Sequence, residues 1–327
     1  MKVNGQFNAA MIEALNGPRR DKDADIIIAN MERWRWMPRD LGQKRVILNI
    51  PDYTLRVYNG DKQVWMTRVV VGKPGNQATP LLSETMKYIT VNPTWNVPPS
   101  IVYNEYLPAL QQDPTVLSRM GLKVVQLPNG GIHISQPPGE RNALGRIRFN
   151  FPNKFLVYQH DTPDKNLFAQ EKRAFSHGCM RVQDPARYAE VILGLANPGE
   201  NYTQDRIKSM YGNSEIDIKL VNQIPVHITY QTAFVDDDGK LQIRDDVYGR
   251  DARLMAIFKS DERKVAETEV ARSQPNYARP SVQLPLGVAG GQNFQGGGPN
   301  LFDLFFGGGR PAPPPQRPGR GARTAQR

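Results

Sequence analysis

The sequence predicts a mainly β fold with some helix: a sandwich or barrel carrying an inserted cap, preceded by short helices and followed by a disordered tail. Three observations predict it. From Arg45 onward apolar and polar residues alternate with the period of strands. Helical spacing is confined to a few short stretches, so a doubly wound sheet is disfavoured. Beyond about residue 272 the composition collapses to Gly, Pro, Gln and Arg, which cannot bury enough apolar surface to offset chain entropy. The chain has 327 residues, 39% of them hydrophobic, enough for one large domain or two smaller ones.

Taken in order, Phe7 to Leu15 reads as a helix stopped by Gly17-Pro18, and Asp23 to Trp36 as a second stopped by Met37-Pro38. Ile27, Met31 and Trp34 form its apolar stripe. Next come the strand "RVILNI" and the pair "YTLRVY" and "QVWMTRVVVG", joined at Asn59-Gly60, a dipeptide suited to a type I′ turn. "YITVNPTW" and "GIHISQ" read as further strands, with "YNEYLPALQQDPTVLSRMG" helical or irregular between them. "NKFLVYQH" reads as a buried strand ending at His160. Asp184 is placed to cap a helix that begins at Pro185 and runs through "PARYAEVILGLA". "IPVHITYQTAFV" and "LQIRDDV", around "DDDGK", form a last hairpin. The expected organisation is thus a helical segment over 1–40, a β-rich domain over 41–250, a short helix over 251–271 and the tail over 272–327.

The formal net charge is +10, which favours an anionic partner. From Pro275 to the end there are six arginines and one aspartate, so half of that charge lies in the tail. The folded part is only mildly basic and shows no interleaved basic and aromatic recognition motif, which argues against nucleic acid as the partner. No apolar run approaches a membrane span, and the first residues lack the apolar core of a signal peptide.

The one cysteine, Cys179, rules out an internal disulfide and sits in "SHGCMR". A thiol attacks as its thiolate and needs a base or a positive field nearby. His160, at a predicted strand end, and His177, two residues before the thiol, are the available bases. Gly178 permits close backbone approach, the amides near Gly178 and Cys179 can face an oxyanion, and Arg181 can hold a carboxylate. Two other readings of these residues stand beside catalysis. One is a small buried core cysteine. The other is a zinc site from His160, His177 and Cys179, which has no further cysteine or closely spaced histidine pair to close it. A papain-like context is absent.

"HDTP" at 160 to 163 and "SHGCMR" at 176 to 181, with fifteen residues between His160 and Ser176, resemble the signature of L,D-transpeptidase catalytic domains of the YkuD type. "NMERWRWMP", "NPTWNVPPSI", "QPPGERNALGRIRFNFPN" and "VYQHDTP" are similar to the subgroup with a capping insertion, here at about 101–130. The resemblance implies a β-rich domain that makes or remodels peptidoglycan cross-links without metal or diffusible cofactor. It implies Cys179 as nucleophile and His160 as base, with the imidazole oriented by the backbone carbonyl of Asp161. His177, Gly178 and Cys179 would shape the oxyanion pocket, Arg181 would orient substrate, Ser176 would satisfy the loop, and Tyr158 and Trp95 would line the cleft or fill the core. His133 and His227 read as sheet residues. "GQFNAAMIEALNG" resembles the end of an upstream wall-binding domain. The implied partners are peptidoglycan stem peptides, with outer-membrane proteins as further candidate acceptors, and the implied location is the periplasm or cell envelope. The rivals are a hydrolytic relative that passes the acyl group to water and a wall-binding scaffold with an unreactive thiol.

Overall fold

The computed structural model describes residues 21–128, 131–236 and 238–259. The expected helix at Phe7 to Leu15 and the tail lie outside these residues. The main sheet is built from β1 (Lys44–Asn49), β2 (Thr54–Asn59), β3 (Lys62–Gly72), β4 (Leu82–Val91), β8 (Ile147–Asn150), β9 (Gln159–His160), β10 (Ala174–Ser176), β11 (Met180–Val182) and β12 (Ile216–Thr229), numbered along the chain with β5 to β7 described below. Its order is β10-β3-β11-β9-β8-β4-β12-β1-β2, and β2 also pairs with β3. Backbone groups of Val69 and Val71 face Tyr53 and Arg173, whereas Arg68 receives Gln183 on the opposite edge. The ring therefore closes through β3 with eight strands, and β10 extends one rim.

The alternation that predicts these strands is the alternation that fills the barrel: Val46, Leu48, Leu55, Val57, Val69, Val71, Met86, Ile89, Val91, Phe149, Met180 and Val182 all point into one core. The helix Pro185–Ala196 packs against that core through Tyr188, Ala189, Ile192 and Leu193. Asp184 caps it, accepting from the Arg187 amide at 3.3 Å, with Pro185 in the first turn. A bulge in β12 between Lys219 and Ile224 is tied to the end of this helix, because Asn197 accepts from the Val221 amide and Asn222 donates to the Ala196 carbonyl.

A second core is separate from the first. Strands β5 (Trp95–Asn96), β6 (Lys123–Gln126) and β7 (Ile132–Gln136) form a small sheet. Against it pack the short helices Pro99–Ile101, Leu107–Gln112 and Val116–Arg119 and a π-helical turn at Val102–Tyr106. Trp95, Ile101, Tyr106, Leu110, Leu117, Leu122, Ile134 and Leu144 share its interior. The cap is thus a folded subdomain that extends beyond the expected 101–130.

Three expectations differ from the structure. Asn59 pairs with Lys62, so Gly60 and Asp61 are the central turn residues, and of these only Gly60 has positive φ, +62°; a type I′ turn needs both. "NKFLVYQH" is strand only at Gln159–His160, because the Asn153 side chain bonds to Phe151, Phe155 and Val157 and bends the backbone, leaving Leu156 exposed. The first helix, Asp21–Arg35, buries Ile27 and half-buries Trp34 of the expected stripe but exposes Met31, and polar groups add to its docking: Asn30 bonds Thr232 at 2.8 Å and Arg33 pairs with Asp251 at 2.5 Å. Asp251 belongs to the helix Arg250–Phe258, the described part of the expected 251–271 helix. Among the described residues no helix is long and apolar enough to cross a membrane.

Candidate active site

Cys179 directly precedes β11 and is half-buried. Strands β11 and β9 run parallel, with Met180 beside Gln159 and Arg181 beside His160. Side chains alternate across a strand, so Met180 and Gln159 share the core face while Cys179, Arg181, Tyr158 and His160 share the other. Both core-facing residues are fully buried, and Gln159 accepts the Tyr188 hydroxyl there at 2.8 Å. The opposite face looks toward the cap. Tyr158 donates to the sulfur from both its backbone amide and its hydroxyl, and that hydroxyl in turn receives the Trp95 indole. Trp95 is itself a buried cap residue, edge-on to Tyr106 at 6.4 Å between ring centroids. It therefore fills the cap core and touches the site at once.

His160 is held by its backbone neighbour. Its Nδ1 lies 2.5 Å from the Asp161 carbonyl oxygen, and because a carbonyl only accepts, Nδ1 carries the proton and Nε2 keeps its lone pair. The Asp161 carboxylate is occupied elsewhere, accepting from the Arg146 and Thr162 amides and from Lys165. Across the sheet His160 stands between Arg148 on β8 and Arg181 on β11. Burial first, then the Arg181 charge with help from Arg148 and Lys165, brings its pKa down to about 3 against the Asp161 hydrogen bond. Burial likewise pushes the Cys179 thiol up to about 11, opposed by the Tyr158 hydrogen bonds and the two arginines. At neutral pH the resting pair is a neutral imidazole and a protonated thiol.

The loop before the thiol is fixed by its own side chains. Gly178 has φ +111°, a region that disfavours any residue with a Cβ. Its carbonyl accepts from the Thr79 hydroxyl at 2.9 Å, and that hydroxyl accepts from the Gly72 amide, which ties the loop to β3. The Gly178 amide donates to Ser176 Oγ at 3.2 Å, and Ser176 donates to the Cys179 carbonyl. Ser176 thus satisfies the loop as expected. The Gly178 amide, expected at an oxyanion, is turned into the loop instead. His177 Nε2 meets Glu105 Oε1, from the cap, at 2.7 Å.

Arg181 departs from its expected role as a carboxylate clamp. Its side chain is 5% exposed and paired with Asp164 at 3.0 Å, so it supplies a field to the site while its guanidinium is engaged. His227 is buried between Ser83 Oγ and the Leu41 carbonyl, and His133 lies exposed on β7. Among the described residues, no three His, Cys, Asp or Glu side chains gather as a metal site.

Sequence reasoning missed Arg148, Asp164, Thr79 and Glu105. Arg148 left a signal, being a cation on a strand whose neighbours Ile147, Phe149 and Asn150 are buried; its guanidinium lies 5.7 Å from the Tyr158 ring centroid. Asp164 lies four residues after His160, where nothing local marks it as the partner of Arg181. Thr79 and Glu105 come from distant segments and leave no local signal.

The family model for the YkuD L,D-transpeptidase catalytic domain matches residues 43–218. A Haemophilus influenzae protein named "Putative L,D-transpeptidase" is 26% identical over 226 residues, covering 64% of this chain and 45% of that one, so the chain spans about half the length of this relative. Among solved structures, L,D-transpeptidase 3 from Mycobacterium tuberculosis, in complex with a faropenem-derived adduct, is 11% identical over 57% of this chain and 60% of its own, with a TM-score of 0.29. The catalytic domain of the E. faecium L,D-transpeptidase is 12% identical over 58% of this chain and 99% of its own, with a TM-score of 0.26.

Proposed function

Because the chain belongs to the YkuD family of L,D-transpeptidase catalytic domains, we propose that it is a cysteine acyltransferase acting on peptidoglycan stem peptides, with Cys179 as nucleophile and His160 as base. The observation that carries this reading is the shared face of β9 and β11. The only thiol in the chain shares that face with a histidine whose Nδ1 is engaged by the Asp161 carbonyl and whose Nε2 is left as an acceptor. His160 takes the thiol proton as the sulfur attacks the carbonyl of the third stem residue of a tetrapeptide. The terminal D-alanine leaves with that proton, and a thioester remains on Cys179.

With the base and the thiol both neutral at rest, charge separates only when substrate fills the cleft. Arg148 and Arg181 then stabilise the thiolate as it forms. Tyr158 holds the sulfur in place, and Trp95 links it to the cap. The thioester passes to a side-chain amine of a second stem, giving a 3→3 cross-link; a cap built over the thiol favours a peptide acceptor. Work on this substrate places the protein in the periplasm or cell envelope, where an outer-membrane protein amine is a second candidate acceptor. The domain division follows: residues 41–250 carry the chemistry, and the helix ending at Arg35 braces them through Asp251.

Intact mass after incubation with a carbapenem tests the assignment. The unaltered chain gains one adduct, and Cys179→Ala gains none while keeping its thermal transition. An adduct retained by Cys179→Ala overturns the reading. Muropeptide products separate transfer from hydrolysis, since dimers and trimmed monomers differ in mass.

A further inference from the structure

We propose that the Glu105 carboxylate, reaching from the cap to the loop of the thiol, is the docking site for the protonated primary amine of the acyl acceptor. The inference rests on the acyltransferase reading and adds to it the group that selects an amine over water.

Glu105 lies in the π-helical turn Val102–Tyr106, a widened backbone form that recurs at functional sites. One carboxylate oxygen meets His177 Nε2 at 2.7 Å, two residues from Cys179. The other is buried without a hydrogen-bond partner among the described residues, and the hydroxyl of the adjacent Tyr106 is in the same condition. A buried carboxylate oxygen left without a donor is costly, so a site that keeps one is shaped for a donor that arrives later.

The other charges around the site fix what that donor is. Arg148 and Arg181 are cations that repel an ammonium on the side of the base. The Asp161 carboxylate is taken up by two amides and Lys165, and Asp164 by Arg181. Glu105 is the acidic side chain at the site with an unused acceptor, and a primary ammonium brings both the charge and the donors it lacks.

Docking also accounts for the protons. The ammonium gives one proton to Glu105, which leaves a neutral amine. The amine nitrogen attacks the thioester carbonyl, the C–N bond forms and the C–S bond breaks. The second proton lost by nitrogen passes through His160 to the Cys179 sulfur, restoring the thiol, and Glu105 returns its proton to solvent. Water carries no positive charge, so its hydrogen bond to Glu105 lacks the charge assistance that an ammonium brings.

The test follows the fate of the thioester formed with a tetrapeptide stem at near-neutral pH. Two acceptors are compared: Nα-acetyl-lysine amide, which is cationic, and hydroxylamine, which is neutral. In Glu105→Gln the lysine-to-hydroxylamine rate ratio falls roughly 10- to 100-fold, as expected for loss of a charge-assisted hydrogen bond, and Glu105→Asp recovers part of it. An unchanged ratio, whether both rates hold or both fall together, overturns the docking site and leaves the acyltransferase assignment standing. Failure of the unaltered chain to form any adduct at Cys179 overturns the acyltransferase assignment, and the docking site with it.

Discussion

Alkylation of Cys179 measures the electrostatics of the site without any substrate, because the chain has a single thiol and each labelling event reports on it alone. With the thiol pushed up to about 11, the thiolate fraction at about pH 7.5 is roughly 3 in 10,000, against about 1 in 10 for an ordinary cysteine. The more basic sulfur is also the better nucleophile: a Brønsted slope of about 0.4–0.5 over roughly 2.5 pKa units returns a factor of about 10 to 20. Cys179 should therefore react with iodoacetamide roughly 20- to 30-fold more slowly than a cysteine in an unstructured peptide. Its rate should climb tenfold per pH unit with no plateau below about pH 10. Intact mass against time across that range is the assay. A plateau between about pH 5 and 8, or labelling faster than the peptide, would refute the reasoning, since either means a thiolate already paired with imidazolium at rest.

Two further outcomes follow from named contacts. In Gly178→Ala the new Cβ would meet nothing closer than 3.7 Å, so the whole cost is the φ of +111°; a loss of about 1–3 kcal/mol is expected, read as a thermal midpoint about 3–10 °C lower, and an unchanged midpoint would remove the strain. Asp164→Ala leaves the buried Arg181 without its counter-ion, costing about 3–5 kcal/mol in denaturant unfolding and lowering the thiol pKa as the Arg181 charge acts unopposed, so labelling at neutral pH quickens; slower labelling would contradict this account.

How much of this was legible in the sequence depends on the range of the interactions. The strands with alternating apolar residues and the Asp184 cap before Pro185 are written locally, in periods and spacings that span a few residues. Closure of the barrel is not, because it requires β2 to meet β3 on one edge while β3 meets β11 on the other, and no local pattern records which edge is used. "NKFLVYQH" misled because its apolar content reads as strand while Asn153, following Pro152, makes the side-chain bonds of a turn. In the site, Gly178 was legible as a special backbone position, but the direction of its amide was not, since that depends on the rotamer of Ser176. Arg181 was visible as a charge; its engagement depends on Asp164, seventeen residues earlier and separated by a loop.

The manner in which the barrel holds His160 and Cys179 has a further consequence. His160 belongs to a strand of two residues clamped between β8 and β11, and Cys179 is positioned where β11 begins against β3. Each inherits its place from neighbouring strands, and the chain between them, 161 to 175, is itself anchored by Leu167 and Phe168 against Val70 and by Arg173 on the Val69 and Tyr53 carbonyls. Distance along the polypeptide and distance in space are thereby uncoupled. Changes of length are accommodated at the exposed turn 169–172, between buried Phe168 and buried Arg173, while His160 and Cys179 keep the places that their strands give them.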